Sequence, residues 1–352
     1  MGSIITGTGM AVPPDVVTND DLAKVMDTSD EWIRTRSGVG RRHVAKAGVG
    51  STDLATTAGL AALDDAGVDP IQVDALISAT MTPDHYAPGN APIIQRKMGL
   101  GHVAAYEIRQ QCSGFVYGLD LADSLLATEK ADTVLVVGAE VHAGYMPFDR
   151  GAWDIVLGRS DATPTDAQRA RATEARGWAV LFGDGAGAFV IQRSADPDVG
   201  MLASTLHTNG EHFDLIHVPG LGFVHQPFVD QVQLEAGLHV PTMNGRELFR
   251  QAVHLMPDAV SSVAKAAGVA VSDLDLVIAH QANDRILAGV RKGAGLTAEQ
   301  VPSNIGRYGN TTAATLPILY HEQRSSIAPG ALVAFTAFGA GAHWGAVLYR
   351  EP

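Results

Sequence analysis

One internal repeat constrains this chain more than any other feature. Ala66-Gly67-Val68 followed by Asp74-Ala75-Leu76-Ile77-Ser78-Ala79 recurs as Ala267-Gly268-Val269 followed by Asp275-Leu276-Val277-Ile278-Ala279-His280, at a constant offset of 201. Each copy reads as a helix stopped by glycine, a short loop, and a strand apolar on both faces. Further along, Thr133 to Val137 pairs with Ala331 to Phe335, and Gly187 to Ile191 with Gly345 to Tyr349. Four elements in the same order twice imply a duplicated α/β unit, with a seam near Gln192 to Gly200. The halves are then residues 1–195 and 196–352, each an ordinary domain size. The copies differ most between Tyr145 and Trp178, where an insertion over 152–178 has no counterpart in the second half. Within it, Arg159 to Arg176 is rich in Asp, Arg, Ala and Thr, the composition of a solvated helix or lobe.

With 46% apolar and only 18% charged residues, the chain can build a large core and is not disordered. A net charge of −13 disfavours general binding to nucleic acid or an anionic membrane, since both repel such a surface. One cysteine cannot form an internal disulfide, and no apolar run approaches the ~18 residues of a membrane span. The N-terminus lacks the pattern of a signal peptide, so a cytoplasmic protein is expected. Met1-Gly2 with Thr6 fits a loose myristoylation pattern, but Ile4-Ile5-Thr6-Gly7 reads better as a first buried strand.

Three residues stand where α/β chemistry gathers. Cys112 follows the stretch Ala104 to Ile108 and precedes Phe115, Leu119, Ala122 and Leu126 at helical spacing, which places it at a strand-to-helix turn. There the positive helix end is expected to lower the thiol pKa and expose a nucleophile; on local sequence alone, an inert buried cysteine is the commoner outcome. His280 ends an apolar strand and opens His280-Gln281-Ala282-Asn283, at the position filled by Ala79 in the first half. Taken singly, such a histidine is more often structural. Asn310 follows Gly309 and reads equally well as the cap of the next helix. Other signals are weak. Gly183-Asp184-Gly185-Ala186-Gly187 runs into a strand, not a helix, and is no dinucleotide loop. His207, His212, His217, His225 and His239 are irregularly spaced, and no metal site is expected.

Together these strings resemble the thiolase-fold condensing enzymes, most closely the β-ketoacyl-acyl carrier protein synthase III family. The resemblance rests on Asp27-Thr28-Ser29-Asp30-Glu31-Trp32-Ile33 with Thr35-Arg36, Gln111-Cys112-Ser113-Gly114-Phe115, Asp149-Arg150-Gly151, Phe182 to Ala188, His280-Gln281-Ala282-Asn283, Tyr308-Gly309-Asn310-Thr311 and Ala337-Phe338-Gly339. It runs nearly end to end and implies two βαβαβ-type halves in five α-β-α-β-α layers. It also implies that Cys112 takes an acyl group from acyl-CoA, after which malonyl-acyl carrier protein is decarboxylated and condensed, with no cofactor. His280 and Asn310 would donate to the enolate oxygen, and the Cys112 and Ala340 backbone N–H groups to the tetrahedral oxyanion. Trp32 and Arg150 match the pair that sandwiches the CoA adenine, Arg36, Arg250 and Arg285 match positions near its phosphates, and Asn283 one that meets pantetheine. Arg246, Arg250, Arg285, Arg291 and Lys292 would form a basic patch suited to an acidic carrier protein. A homodimer is implied, in which Tyr86 closes the acyl pocket across the interface.

The chain departs from the family pattern at Gly339-Ala340-Gly341-Ala342-His343-Trp344. Ala340 would resist a positive φ, and His343 is an additional group at the turn, catalytic or merely a polar neighbour. Tyr86 and the insertion suggest a primer other than acetyl. Two other readings compete: a related acyltransferase passing the acyl group to an oxygen, nitrogen or sulfur nucleophile in secondary metabolism, and a silent subunit that only binds acyl thioesters.

Overall fold

The doubly apolar strands named above fall in two separate sheets of the computed structural model, which describes residues 2–352, the first inside its sheet and the second at an edge. The first sheet contains β1 (Gly2–Ala11), β2 (Ala75–Ala79), β3 (Ala104–Ile108), β4 (Thr133–Glu140) and β5 (Gly185–Ser194), in the order β1-β5-β4-β2-β3. The second contains β6 (Gly200–Thr208), β7 (Leu276–Ala279), β8 (Leu332–Gly339) and β9 (His343–Arg350), in the order β7-β8-β9-β6. β2 runs parallel to β4, which is antiparallel to β5, itself antiparallel to β1. β7, β8, β9 and β6 repeat that pattern in the same order. The duplication therefore extends to strand direction, and β6 is the counterpart of β1 just past the seam. β3 has no counterpart. It lies at a sheet edge with Ala104, Ala105 and Tyr106 exposed.

Helices fill three layers around these sheets. The outer helix α1 (Ser51–Ala66) stops at Gly67 with φ 65°, the left-handed conformation that glycine adopts without strain. It packs Leu54, Ala58, Ala62 and Leu63 against the first sheet. Its counterpart α3 (Gly245–Ala266) packs with α4 (Asp284–Ala294) on the outer face of the second. Between the sheets lie α2 (Gly114–Ala127) and α5 (Thr315–Gln323), where Phe115, Leu119, Leu316 and Tyr320 meet Phe189, Phe335 and Tyr349 from both sheets. Phe115 crosses Phe189 edge-on at 4.9 Å between ring centres. The result is the expected five-layer α-β-α-β-α arrangement. Burying each such aromatic is worth about 1.5–3 kcal/mol, and this central layer locks the start of α2 in place.

The insertion is a lobe of three short helices, Arg150–Val156, Asp166–Glu174 and Arg176–Ala179. Its middle is solvated as expected, but its inner face is not. Ala152, Ile155, Val156 and Ala172 pack with Val17, Leu22, Ile33 and the flank of Trp32. Thr173 accepts a hydrogen bond from the Asp27 backbone at 2.9 Å, fastening the lobe to the N-terminal segment.

Candidate active site

Cys112 occupies a single 3-10 turn, Gln111–Ser113, between β3 and the first residue of α2. Gln111 holds φ at +52°, an uncommon conformation for a residue with a side chain and a mark of a sharp elbow. The turn that ends β8 presses on this elbow. A Cβ built on Gly339 would lie 2.9 Å from the Cys112 nitrogen and 3.0 Å from the Ser113 nitrogen, so only glycine permits the approach. Ser113 Oγ donates to the His343 carbonyl at 2.8 Å and ties the far side of the same turn.

Cys112, His280 and Asn310, far apart in sequence, line one cavity of about 100 Å³, together with Asn283 and Ala340. His280 follows β7, its backbone N–H held by the Thr336 carbonyl at 2.8 Å. Its side chain is buried, and neither ring nitrogen has a hydrogen-bond partner among the described residues. Burial pushes its pKa down to about 3, so the imidazole is neutral at physiological pH and can donate one hydrogen bond without carrying charge. Asn310 is not a helix cap; Thr311 takes that position in the following turn. Instead Asn310 Oδ1 accepts from the Thr312 N–H at 2.9 Å, which leaves Nδ2 to face the cavity.

Sequence reasoning missed Glu140, the last residue of β4. It is wholly buried and accepts from Thr82 Oγ1 at 2.6 Å and from the Met81 N–H at 3.1 Å. Burial raises its pKa to about 7 despite those bonds. A charged residue closing an otherwise apolar buried strand was the available signal. Burial, reinforced by Glu140, also pushes the Cys112 thiol up to about 12. This corrects the expectation of a depressed thiol pKa, because desolvation of a side chain only 7% exposed outweighs the helix terminus. The resting group is a thiol, not a free thiolate.

Two family models match the chain: "3-Oxoacyl-[acyl-carrier-protein (ACP)] synthase III" over residues 106–160 and 165–210, and its C-terminal counterpart over 264–351. The β-ketoacyl-[acyl-carrier-protein] synthase III of Aquifex aeolicus is 38% identical over 352 residues, covering 99% of this chain and 100% of that protein. The chain belongs to the 3-oxoacyl-[acyl-carrier-protein] synthase III family. A crystal structure of the Aquifex aeolicus synthase III superposes with a TM-score of 0.83 at 37% identity, covering 99% and 100% of the two chains. That from Pseudomonas aeruginosa gives 0.84 at 36%, covering 100% and 99%. As a synthase III, this protein is a thiolase-fold condensing enzyme that performs the family's acyl transfer in fatty acid biosynthesis.

The other expected positions of this synthase III fall into two groups. Around Trp32 the structure gathers Arg36, with its guanidinium 4.4 Å from the ring centre, and Arg285, which donates to the Thr35 carbonyl at 3.0 Å. The second cation over Trp32 is Arg176, at 4.5 Å, and not Arg150. Arg150 is exposed and lines a separate cleft with Lys46 and Trp153. The insertion explains the substitution. The chain carries two Arg-Gly pairs, 150–151 and 176–177, and only the second runs directly into Phe182-Gly183-Asp184.

Arg250 pairs with Glu247 at 2.5 Å and is exposed. The expected basic patch divides, because Arg291 and Lys292 lie at the opposite end of α4 from Arg285, and Arg291 donates to the Val301 carbonyl at 2.7 Å. Asn283 caps α4 through Oδ1, which accepts from Ile286 at 3.0 Å, while the residue also lines the cavity. Tyr86 lies outside the Cys112 cavity, 58% exposed, with Phe223 and Phe228 against its ring. Positive φ falls on Gly341 and not on Ala340, so the extra methyl carries no backbone strain. His343 stands behind the turn, its Nδ1 2.8 Å from Thr208 Oγ1, and does not line the cavity.

Among the described residues no group of three or more His, Cys, Asp and Glu side chains could hold a metal ion. No helix there is long and apolar enough to cross a membrane.

Proposed function

We propose that this synthase III loads its primer on Cys112 from acyl-CoA and condenses it with malonyl-acyl carrier protein by a ping-pong route. The observation that carries the reading is the convergence of a thiol, a neutral imidazole with unpartnered nitrogens and a free amide N–H on one apolar cavity. In the first half-reaction the Cys112 sulfur forms a thioester bond to the acyl carbon as the bond to CoA sulfur breaks. The thiol proton leaves with CoA as its thiol. In the second, the malonyl thioester loses carbon dioxide, and His280 and Asn310 Nδ2 donate to the enolate oxygen. The enolate carbon attacks the acyl thioester, releasing Cys112 sulfur, which takes a proton from solvent. The Cys112 and Ala340 N–H groups serve the tetrahedral oxyanion. No step needs a cofactor.

CoA enters past Trp32, with Arg176 drawing back from the Trp32 ring to admit the adenine between them, its phosphates near Arg36, Arg250 and Arg285, and its pantetheine passing Asn283. The intact Asn310 favours condensation over transfer to another nucleophile, and the intact Cys112 disfavours a silent subunit. The free edge of β3 beside exposed Tyr86 and Phe223 supports a homodimer joined along that edge, in the cytoplasm. The test is the mass of the carrier protein after incubation with acyl-CoA and malonyl-acyl carrier protein. A β-ketoacyl form that vanishes with Cys112→Ala is expected; its persistence in that variant would overturn the reading.

A further inference from the structure

The turn that presents the Ala340 N–H joins β8 to β9 and is gripped from two sides. On the side of the nucleophile, Gly339 lies so close to the Cys112 and Ser113 nitrogens that a methyl does not fit. On the opposite side, Gly341 lies against the His343 imidazole. Its φ of 134° is a conformation that favours glycine, and a Cβ built there would fall on ring atoms Cδ2 and Nε2. The ring fills the space behind the turn and leaves its backbone no room to retreat from the cavity.

His343 is itself held by segments distant in sequence. Its carbonyl accepts from Ser113 Oγ at 2.8 Å, and its Nδ1 lies 2.8 Å from Thr208 Oγ1 at the end of β6. Thr208 Oγ1 is in turn 3.3 Å from the hydroxyl of Tyr117 on α2, whose ring meets the imidazole edge-on at 5.9 Å. Next to this pair, Asn209 and Ala342 exchange backbone hydrogen bonds at 2.9 and 3.0 Å. Partial burial holds the His343 pKa below the ordinary histidine value, so at neutral pH the ring is uncharged and acts through its shape and one hydrogen bond.

From this we infer that His343 is a positioning residue for acyl transfer: wedged between Gly341 and Thr208, its imidazole fixes the turn so that the Ala340 N–H meets the tetrahedral oxyanion at Cys112. The ring does not line the cavity, so it acts on kcat and not on substrate binding. The inference rests on the acyl-Cys112 reading above and on the oxyanion role given there to Ala340.

Two reagents for Cys112 separate positioning of the turn from damage to the elbow. p-Nitrophenyl acetate acylates the sulfur through a tetrahedral oxyanion, releasing p-nitrophenolate with no recognition of CoA. Iodoacetamide alkylates the same sulfur by direct displacement of iodide, the thiol proton passing to solvent, and forms no oxyanion. Both are followed by intact-protein mass against time, with Cys112→Ala as the blank. His343→Ala should slow acylation by acyl-CoA and by p-nitrophenyl acetate about 10- to 100-fold, with the KM for acyl-CoA and the rate of alkylation both near wild type. Thr208→Val, which keeps the ring but removes its anchor, should slow acylation in the same direction by a smaller factor, and it carries the test if His343→Ala does not fold. The double variant should lose no more than His343→Ala alone, because Thr208 acts through the ring. His343→Asn, which restores a polar atom near the place of Nδ1, should recover part of the rate. Acylation of either single variant at the wild-type rate, or alkylation slowed in step with acylation, overturns the inference while leaving Cys112 loading intact. Variants slow toward p-nitrophenyl acetate, in a protein whose wild type takes no acyl group from acyl-CoA, uphold the role of His343 and sink the functional reading instead.

Discussion

Replacing Asn310 separates the chemistry of this site from its architecture. The amide has two jobs: Oδ1 accepts the buried Thr312 N–H at 2.9 Å, while Nδ2 faces the cavity. Asn310→Ala removes both. Stranding the Thr312 donor costs about 1–3 kcal/mol of stability, and losing one preorganised donor to an enolate costs about 100- to 1,000-fold in rate. Asn310→Asp keeps the acceptor for Thr312 but sets a carboxyl in an apolar cavity, which costs desolvation and raises its pKa; at pH above that raised pKa, where it cannot donate, it should show the same kinetic loss. The assay follows each half-reaction by mass: acyl transfer from CoA to Cys112, then discharge by malonyl-acyl carrier protein. Both variants should load close to wild type, and both should fail at discharge. Discharge by Asn310→Asp at the wild-type rate at such a pH would refute the role given to Nδ2, whatever the stability of either variant.

Other consequences follow from the same geometry. Gly339→Ala drives a methyl into the Cys112 and Ser113 backbone, and should lower loading about 100- to 1,000-fold through the displaced oxyanion donors, read by stopped-time mass spectrometry. Arg176→Ala should raise the KM for acyl-CoA by about two- to fivefold, as loss of a half-buried cation–π contact implies, while Arg150→Ala leaves it near wild type. Glu140, with its pKa raised to about 7, holds a proton in the folded state that the unfolded chain loses above the ordinary glutamate value of 4.5. Its contribution to stability is therefore present at low pH and lost as pH rises through about 7. Glu140→Gln should gain stability over wild type between pH 5 and 8, measured by denaturant unfolding, whereas an unchanged difference would contradict the assigned burial. His280, with its pKa depressed to about 3, stays neutral, so pH–rate profiles of discharge should show no limb from it between pH 5 and 8, and a His280→Gln profile of the same shape is expected.

Much of this was legible because duplication leaves a mark that single motifs lack. The offset copies predicted β2 with β7, β4 with β8 and β5 with β9, and the pairing directions repeat accordingly. His280 was conspicuous because its counterpart Ala79 is an ordinary core residue. What remained hidden depended on contacts between distant segments. The Cys112 pKa is set by burial and by Glu140, neither visible in the local string Gln111-Cys112-Ser113. Arg176 was overlooked in favour of Arg150 because an insertion separates two similar dipeptides; the short run from Arg176 to Phe182-Gly183-Asp184 is the sequence signal that distinguishes them, and the structure sets Arg176 over Trp32. Ala340 looked strained on paper because the turn's positive φ is carried one residue later, by Gly341.

The central claim is that a single cysteine carries the acyl group between two half-reactions. Intact-protein mass spectrometry of the wild type and of Cys112→Ala, mixed with acyl-CoA and then with malonyl-acyl carrier protein, tests it most directly. The account predicts an acyl adduct on wild type alone, consumed as a β-ketoacyl carrier protein appears. A β-ketoacyl product formed with no adduct, or an adduct that persists in malonyl-acyl carrier protein while another nucleophile discharges it, would contradict it.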